Sequence, residues 1–326
     1  MKEVSEIKAE LRAATKIVIT AHIRPDGDAI GGCLGLLRML RNSGKAVDVV
    51  GLEPVPERYQ FLIKAGECFD AGNYDFSAVD CIIILDSGAV DRSPEFVAEY
   101  CGSIRSVNID HHISNTGFAD INFVDAEASS VGEIICSIAD ELELSISKSA
   151  AEALWVSIVT DTGRFSYSNT SPATMAAAGR LVGTGIDLAA INHRIYNSMR
   201  LHQLKLQARA IENLLQTENG EVALTSLSRA DFDELECTPV DTEDVVNIPR
   251  SLLGVGVAVF LYEFPDEPQT KISLRTAEPY DAAEFCRELG GGGHARAAGC
   301  SMDGDIDSVR DAVLQLIHNK WFKDVV

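Results

Sequence analysis

The chain is short of positive charge. Its 326 residues hold 28 Lys and Arg against 49 Asp and Glu, a formal net charge of −21. Long nucleic acid favours a basic face, so a general binder of duplexes or long strands is not expected. A small anionic substrate stays open, because local metals and a few arginines outweigh a global field. The eight cysteines (33, 68, 81, 101, 136, 237, 286 and 300) include no C-x-x-C pair. Most sit in apolar runs and read as reduced, buried thiols of a cytoplasmic protein, not as disulfides or a zinc site. No stretch reaches the roughly 18 uninterrupted apolar residues of a membrane span. The opening Met1-Lys2-Glu3-Val4-Ser5-Glu6 mixes charges and shows no hydrophobic signal region. Internal repeats and low-complexity linkers are also missing.

What is present is organised around Asn108-Ile109-Asp110-His111-His112, which ends an apolar, β-prone run from Ile104. Three ionisable groups at a strand tip are costly to hold near a core unless something pairs them. Three other stretches share the form of an apolar run followed by carboxylate or imidazole and small residues. They are Ile17 to Ala29 with His22, Asp26 and Asp28, Cys81 to Gly88 with Asp86, and Leu154 to Gly163 with Asp161. In open α/β sheets, sites collect at the carboxyl ends of parallel strands. That places five carboxylates (Asp26, Asp28, Asp86, Asp110, Asp161) and three imidazoles (His22, His111, His112) on one rim. Uncompensated, the carboxylates would repel strongly. Two divalent cations would offset that charge, and mixed His and Asp donors suit Mn, Zn, Fe or Co better than Mg or Ca.

The pattern predicts an α/β fold: a parallel, doubly wound (Rossmann-like) sheet over residues 1–195 and a smaller mixed α+β C-terminal domain over 217–326. A connector helix lies within 196–216. In the first part, helices are expected over 3–14, 29–41, 94–101, 130–142 and 149–160, the last leaving Asp161 at a helix end. Strands are expected over 16–21, 46–51, 80–85 and 104–109. In the second, strands are expected near 221–227, 255–264 and 269–275. Helices follow near 229–236, 241–253, 281–289 and 306–321. The run Gly290-Gly291-Gly292-Gly293-His294-Ala295-Arg296 reads as a loop whose backbone N–H groups approach a phosphate. Arg275 offers a second guanidinium.

These motifs together resemble the DHH phosphoesterase superfamily with its DHH-associated C-terminal domain. The residues that carry the resemblance are His22-x-x-x-Asp26-x-Asp28, Asp86, Asp110-His111-His112, Asp161-Thr162-Gly163 and Gly291-Gly292-Gly293-His294. They span nearly the whole chain in the family's order. The resemblance implies one metal held by His22, Asp26 and Asp86, and another held by Asp28, Asp86, His111 and Asp161. Asp86 bridges, and Mn²⁺ is the usual ion. It implies catalytic support from Asp110 and His112, the latter touching the scissile phosphate or aiding proton transfer. Arg275, Gly292, Gly293, His294 and Arg296 are implied to hold the substrate's phosphate or nucleotide end. Phe165 and Tyr167 either stack a base or pack beside the metal loop.

The stand-alone members of this superfamily act on short RNA oligonucleotides, on adenosine 3′,5′-bisphosphate (pAp), or on cyclic and linear dinucleotides. Oligoribonuclease and pAp phosphatase activity by two-metal hydroxide attack on phosphorus is therefore the leading expectation, in a cytoplasmic homodimer. The rivals are a cyclic-dinucleotide phosphodiesterase, a RecJ-like single-strand exonuclease, a manganese pyrophosphatase or exopolyphosphatase, and an inactive nucleotide sensor.

Overall fold

The computed structural model describes residues 2–217, 219–242, 244–263 and 268–322. The chain divides into two compact units, residues 1–198 and 199–326.

The first unit is built on six parallel strands: β1 (Lys16–Thr20), β2 (Ala46–Val50), β3 (Cys68–Phe69), β4 (Cys81–Leu85), β5 (Arg105–Asp110) and β6 (Ile121–Val124). Their order is β3-β2-β1-β4-β5-β6, and each neighbouring pair is parallel. This is the doubly wound order, and the chain reverses its direction of travel across the sheet between β1 and β4. The continuous apolar run Cys81-Ile82-Ile83-Ile84-Leu85 is buried on both faces, as a central strand must be. Alternate residues feed two cores. Ile17, Ile19, Cys81 and Ile83 pack with one layer of helices. Val18, Ile82 and Ile84 pack with Phe76, Phe96 and Val97 on the other face.

The helices are α1 (Lys2–Ala13), α2 (Gly27–Asn42), α3 (Glu95–Tyr100), α4 (Val131–Ile138), α5 (Lys148–Asp161), α6 (Pro172–Val182) and α7 (Leu188–Tyr196). The closest pairing is α2 against α5. A Cβ on Gly31 would stand 2.5 Å from the Ala153 carbonyl oxygen, one on Gly35 would meet the Leu154 side chain, and one on Gly27 would meet Thr160. Three glycines at four-residue spacing therefore lay α2 antiparallel along α5 in near backbone contact.

The second unit has a mixed sheet in the order β11-β12-β10-β9-β8-β7. Its strands are β7 (Leu215–Gln216), β8 (Val222–Leu227), β9 (Val257–Glu263), β10 (Gln269–Thr276), β11 (Gly292–His294) and β12 (Ala297–Asp303). Among the described residues only β8 and β9 pair in parallel there. Its helices are α8 (Leu201–Glu212), α9 (Arg229–Leu235), α10 (Asn247–Arg250), α11 (Ala282–Glu288) and α12 (Ile306–Trp321). Phe285, Val309, Val313 and Ile317 cover one apolar cluster with Ile272 and Leu274 of β10. Leu206 and Ala210 of α8 join Phe232, Val245 and Phe260 in another.

Two local expectations fail here. The predicted helix over 241–253 is, among the described residues, a 3₁₀ turn (Pro239–Thr242) and the single turn α10, which contains Pro249. Proline lacks the N–H that a helix interior needs. The glycine run is not all loop, because Gly292–His294 pairs antiparallel with Ala297–Gly299. A Cβ on Gly291 would lie 2.2 Å from the Gly299 carbonyl oxygen, and one on Gly293 2.5 Å from that of Ala297. Close strand approach alone thus demands two of the four glycines. All eight cysteines are unpaired, six of them buried. No helix among the described residues is long and apolar enough to cross a membrane.

Candidate active site

The site forms at the carboxyl ends of β1, β4 and β5, where the order reverses. After β1 the chain turns through His22 and Arg24 to Asp26, the N-cap of α2. Asp26 Oδ1 accepts the backbone N–H of Asp28 (3.0 Å) and Ala29 (3.1 Å). Asp28, in the first turn, is 1% exposed. Its carboxylate reaches across to the N-terminus of α4 and accepts from Val131 N (2.9 Å), Gly132 N (3.4 Å) and the Ser157 hydroxyl of α5. A helix N-terminus is a natural seat for an anion.

Asp86 follows β4 in the left-handed conformation, φ 51°. Its N–H still donates to Ile109 O (3.1 Å), extending the ladder by one bond. Four of the six non-glycine residues with positive φ among the described residues are Arg24, Asp86, Arg164 and Phe165, each within four residues of a predicted ligand or itself one. Strain of this kind collects at functional sites.

Asp86 is the hub. His22 Nε2 lies 3.4 Å from its Oδ2, and His111 Nε2 and His112 Nδ1 lie 3.4 and 3.5 Å from its Oδ1. His111 Nε2 is also 3.5 Å from Asp28 Oδ2 and 3.7 Å from Asp161 Oδ2. His22 Nε2 is 3.8 Å from Asp26 Oδ1. Asp161 comes from the last turn of α5, as the helical reading of that stretch required. The candidate ligand sets therefore assemble through the α2–α5 contact as much as through the sheet.

The imidazoles are oriented. His22 Nδ1 donates to Ile23 O (2.9 Å) and His111 Nδ1 to Ala128 O (3.3 Å), which leaves each Nε2 facing carboxylates. In a neutral ring that nitrogen is a lone pair aimed at anions, so a proton or a cation must sit between them. Burial lowers the His22 basicity, but hydrogen bonds and charge from Asp26 and Asp86 outweigh it and raise its pKa to about 11. His111 moves up in the same way, burial being overcome by Asp86, Asp161 and Asp28. Burial and the charges of Asp86 and Asp161 push Asp28 well above the carboxylate range. Asp161 rises to about 7 through burial, and through Asp26 and Asp86, against the opposing pull of His111. Asp86 moves down: burial opposes this, but the surrounding imidazoles dominate. Even so, its buried Oδ1 has no hydrogen-bond partner.

Those donors fit divalent cations. His22, Asp26 and Asp86 offer ligand atoms within 4.8 Å of one another, and so do Asp28, Asp86 and His111. The two groups share Asp86.

A second layer holds His112. Its Nδ1 donates to Asp110 Oδ1 (2.7 Å), and Asn115 Nδ2 donates to Asp110 Oδ2 (2.6 Å) and Asn108 Oδ1 (2.8 Å). Asn115 and Ser157 escaped the sequence reading. Asn115 lies in an irregular turn with no periodicity to mark it. Ser157 left one trace, as the single hydroxyl in the apolar run Leu154 to Val159. Phe165 packs on the first unit's core, 5.6 Å from the Trp155 ring, which favours the packing reading over base stacking.

The remaining predicted residues belong to the second unit. Arg275 and His294 both stand in register with Ala297, on either side of β12. Arg275 Nη1 donates to Leu274 O (3.0 Å). Gly292 and Gly293 precede His294 in β11. Arg296 donates to Tyr280 O and, at 3.2 Å, to Glu278 Oε1.

Comparison with known proteins agrees with this geometry. Residues 16–158 match the DHH family, N-terminal domain, and residues 219–319 match the DHHA1 domain. The chain is 30% identical to the bifunctional oligoribonuclease and PAP phosphatase NrnA of Thermus thermophilus, over 93% of this chain and 90% of that protein. It is 27% identical to the namesake of Bacillus subtilis, over 88% and 89%. The crystal structure of an exopolyphosphatase-related protein from Bacteroides fragilis superposes with a TM-score of 0.90 at 27% identity, covering 98% of this chain and 96% of that one. RecJ of Thermus thermophilus in complex with Mn²⁺ shares the fold at 14% identity and a TM-score of 0.57, covering 98% of this chain and 54% of that one. A parallel-sheet unit and a mixed-sheet unit that match these two domains, with relatives similar along almost the whole length, show that the chain belongs to the DHH family of phosphoesterases and carries a DHHA1 domain.

Proposed function

We propose that this enzyme hydrolyses short oligoribonucleotides, linear dinucleotides and pAp with the help of two divalent cations. The observation that carries the reading is the pair of ligand groups sharing Asp86 at the strand-order reversal. His22, Asp26 and Asp86 would hold one cation, and Asp28, Asp86, His111 and Asp161 the other. The preference for Mn²⁺ rests on the mixed N and O donors. Bound cations supply Lewis acidity, which makes water a nucleophile near neutral pH and offsets charge on the phosphoryl oxygens.

The chain's own groups do the rest. Asp110 accepts the His112 Nδ1 proton. Burial would lower the His112 pKa, but Asp110 and Asp86 raise it, so that the protonated ring has Nε2–H left to donate to a phosphoryl oxygen. Asn115 keeps the Asp110 carboxylate from turning away. Ser157 and the N-terminus of α4 hold Asp28. In the second unit, Arg275 and His294 are the groups proposed to take a substrate phosphate, with Gly292, Gly293 and Arg296 beside them. The names of the relatives support the oligoribonuclease and pAp reading over cyclic dinucleotides. The DHHA1 match supports it over a pyrophosphatase. The proposed assembly is a cytoplasmic homodimer, a reading that rests on the resemblance and that light scattering tests for its oligomeric part.

The deciding experiment is product release in Mn²⁺ from pApA, a labelled RNA five-mer, pAp, cyclic di-AMP and pyrophosphate. Mononucleotides from pApA and the five-mer, with phosphate from pAp, are expected. Turnover of cyclic di-AMP alone, or of pyrophosphate alone, would refute the assignment.

A further inference from the structure

Away from the Asp86 centre, the second unit gathers a different donor set. His202 lies in the first turn of α8. Cys237 follows α9 directly after Glu236, which takes the left-handed conformation that turns the chain back. Asp241 lies in the 3₁₀ turn Pro239–Thr242. His202 Nε2 is 3.7 Å from Asp241 Oδ1, and the sulfur, nitrogen and oxygen atoms of the three residues all lie within 4.8 Å of one another. The composition had suggested that no cysteine serves a metal.

We propose that His202, Cys237 and Asp241 form a transition-metal site, selective for Zn²⁺ or a similarly thiophilic ion and separate from the catalytic centre. Ligand bonds of roughly 2.0–2.3 Å in a tetrahedral arrangement place donors about 3.3–3.8 Å apart, and the 3.7 Å separation lies in that range. The carboxylate is already aimed. Gln203 Nε2 donates to Oδ1 (2.8 Å), while Thr238 N (2.8 Å) and Thr238 Oγ1 (3.0 Å) donate to Oδ2. Such support from outside the ligand set is what fixes ligands in metal sites. The Cys237 thiol makes only long contacts to the Leu235 and His202 carbonyl oxygens, 3.5 and 3.6 Å away. Half-exposed His202 gives an ion a way in. A thiolate among three ligands selects Zn²⁺, Co²⁺ or Cd²⁺ and rejects Mg²⁺, whereas the Asp86 groups offer only nitrogen and oxygen. Three protein ligands leave a fourth position to water. Bound metal would pin the start of α8 to the segment after α9, at the end of the helix opposite the Arg209 ion pairs to Asp231 and Glu234.

The test is Co²⁺ titration of the full chain, followed by the thiolate-to-Co²⁺ charge-transfer absorption and by Zn²⁺ displacement. The band is expected in the wild type and in Asp86→Asn, and is expected to vanish in Cys237→Ser. Thr238→Val keeps all three ligands and is expected to weaken Zn²⁺ binding about ten-fold. His202→Gln changes a half-exposed side chain and carries the test if Cys237→Ser fails to fold; it too must weaken Zn²⁺ binding at least about ten-fold. Absence of the band in the wild type, its survival in Cys237→Ser, or unchanged Zn²⁺ affinity in His202→Gln would overturn the proposal.

Discussion

Replacing Gly31 with Ala adds one methyl group where α2 crosses α5. The new carbon would lie 2.5 Å from the Ala153 carbonyl oxygen and 2.6 Å from the Ser157 nitrogen. Both are backbone atoms of a buried helix and cannot swing aside. Restoring ordinary contact requires the helices to part by roughly 1 Å. Overpacking of this kind costs about 2–3 kcal/mol, and the better helix propensity of Ala returns about 1 kcal/mol. The net loss of about 1–2 kcal/mol corresponds to a melting temperature lowered by about 2–8 °C for a unit of this size. The larger effect is on activity, because Asp28 rides on α2 while Ser157 and Asp161 ride on α5. A displacement near 1 Å at a reacting centre can reduce turnover by about 100-fold. Gly179→Ala is the control: it lies exposed in α6 with nothing within 4 Å of the added carbon. It should raise the melting temperature by about 2–4 °C and leave turnover alone. Calorimetry and pApA hydrolysis on the two variants decide the matter. Equal melting shifts, or full activity in Gly31→Ala, would refute the argument that this crossing sets the site.

Further outcomes are expected. Asp86→Asn should abolish hydrolysis and weaken Mn²⁺ binding at both positions, read by calorimetric titration; full turnover in metal-replete buffer would sink the ligand assignment. Ser157→Ala removes the hydroxyl that donates to Asp28; Mn²⁺ affinity should fall about 10–100-fold while the fold, read by circular dichroism, stays intact. Arg38 and Glu67 form a buried two-point ion pair (2.9 and 2.8 Å). Glu67→Gln strands the guanidinium and should cost about 3–5 kcal/mol in urea unfolding, whereas replacing both residues with apolar ones should cost far less. The pH profile follows from carboxylates outside the site. Burial would raise Glu67 and Asp48, but Arg38 holds the first below the usual range, and Lys16 and Tyr74 hold the second. Their stabilisation is complete above the unfolded values near pH 4 and is lost as pH falls through the lower folded values. Asp48→Asn should therefore flatten the acid limb of a thermal-melt series.

Much of the candidate site, as a cluster of side chains, was legible because its residues sit where elements end. The run Cys81 to Leu85 could only be a buried strand, and Asp86 had to emerge at its tip. The three Asp and His motifs along the first 112 residues follow the same logic. Elements without a periodic signature were lost: β6 is four residues long and carries Asn122 in its middle, and α10 is one turn around Pro249. The glycine run reads as loop, whereas Gly292–His294 pairs with β12. Chain entropy marks Gly290 to Gly293 as special, but the sequence cannot tell close approach to a ligand from close approach to β12. Contacts between distant residues were hidden altogether. Ser157 meets Asp28 across 129 positions, and no local pattern encodes that.

The left-handed residues around the centre carry a consequence for how the enzyme can be improved. Each non-glycine residue in that conformation costs roughly 1–2 kcal/mol. Arg24, Asp86, Arg164 and Phe165 concentrate that load in and beside the candidate ligands, where Arg164 also stacks on the Tyr196 ring, 3.8 Å from its centre. A selection for heat resistance that ignores catalysis would converge on exposed Arg24 and Arg164 before it touched the sheet, because glycine or asparagine there relaxes the backbone without opening a cavity, whereas Phe165 packs on the core. The survivors would melt later and cleave less. Durability and turnover in this enzyme are traded at the same few dihedral angles.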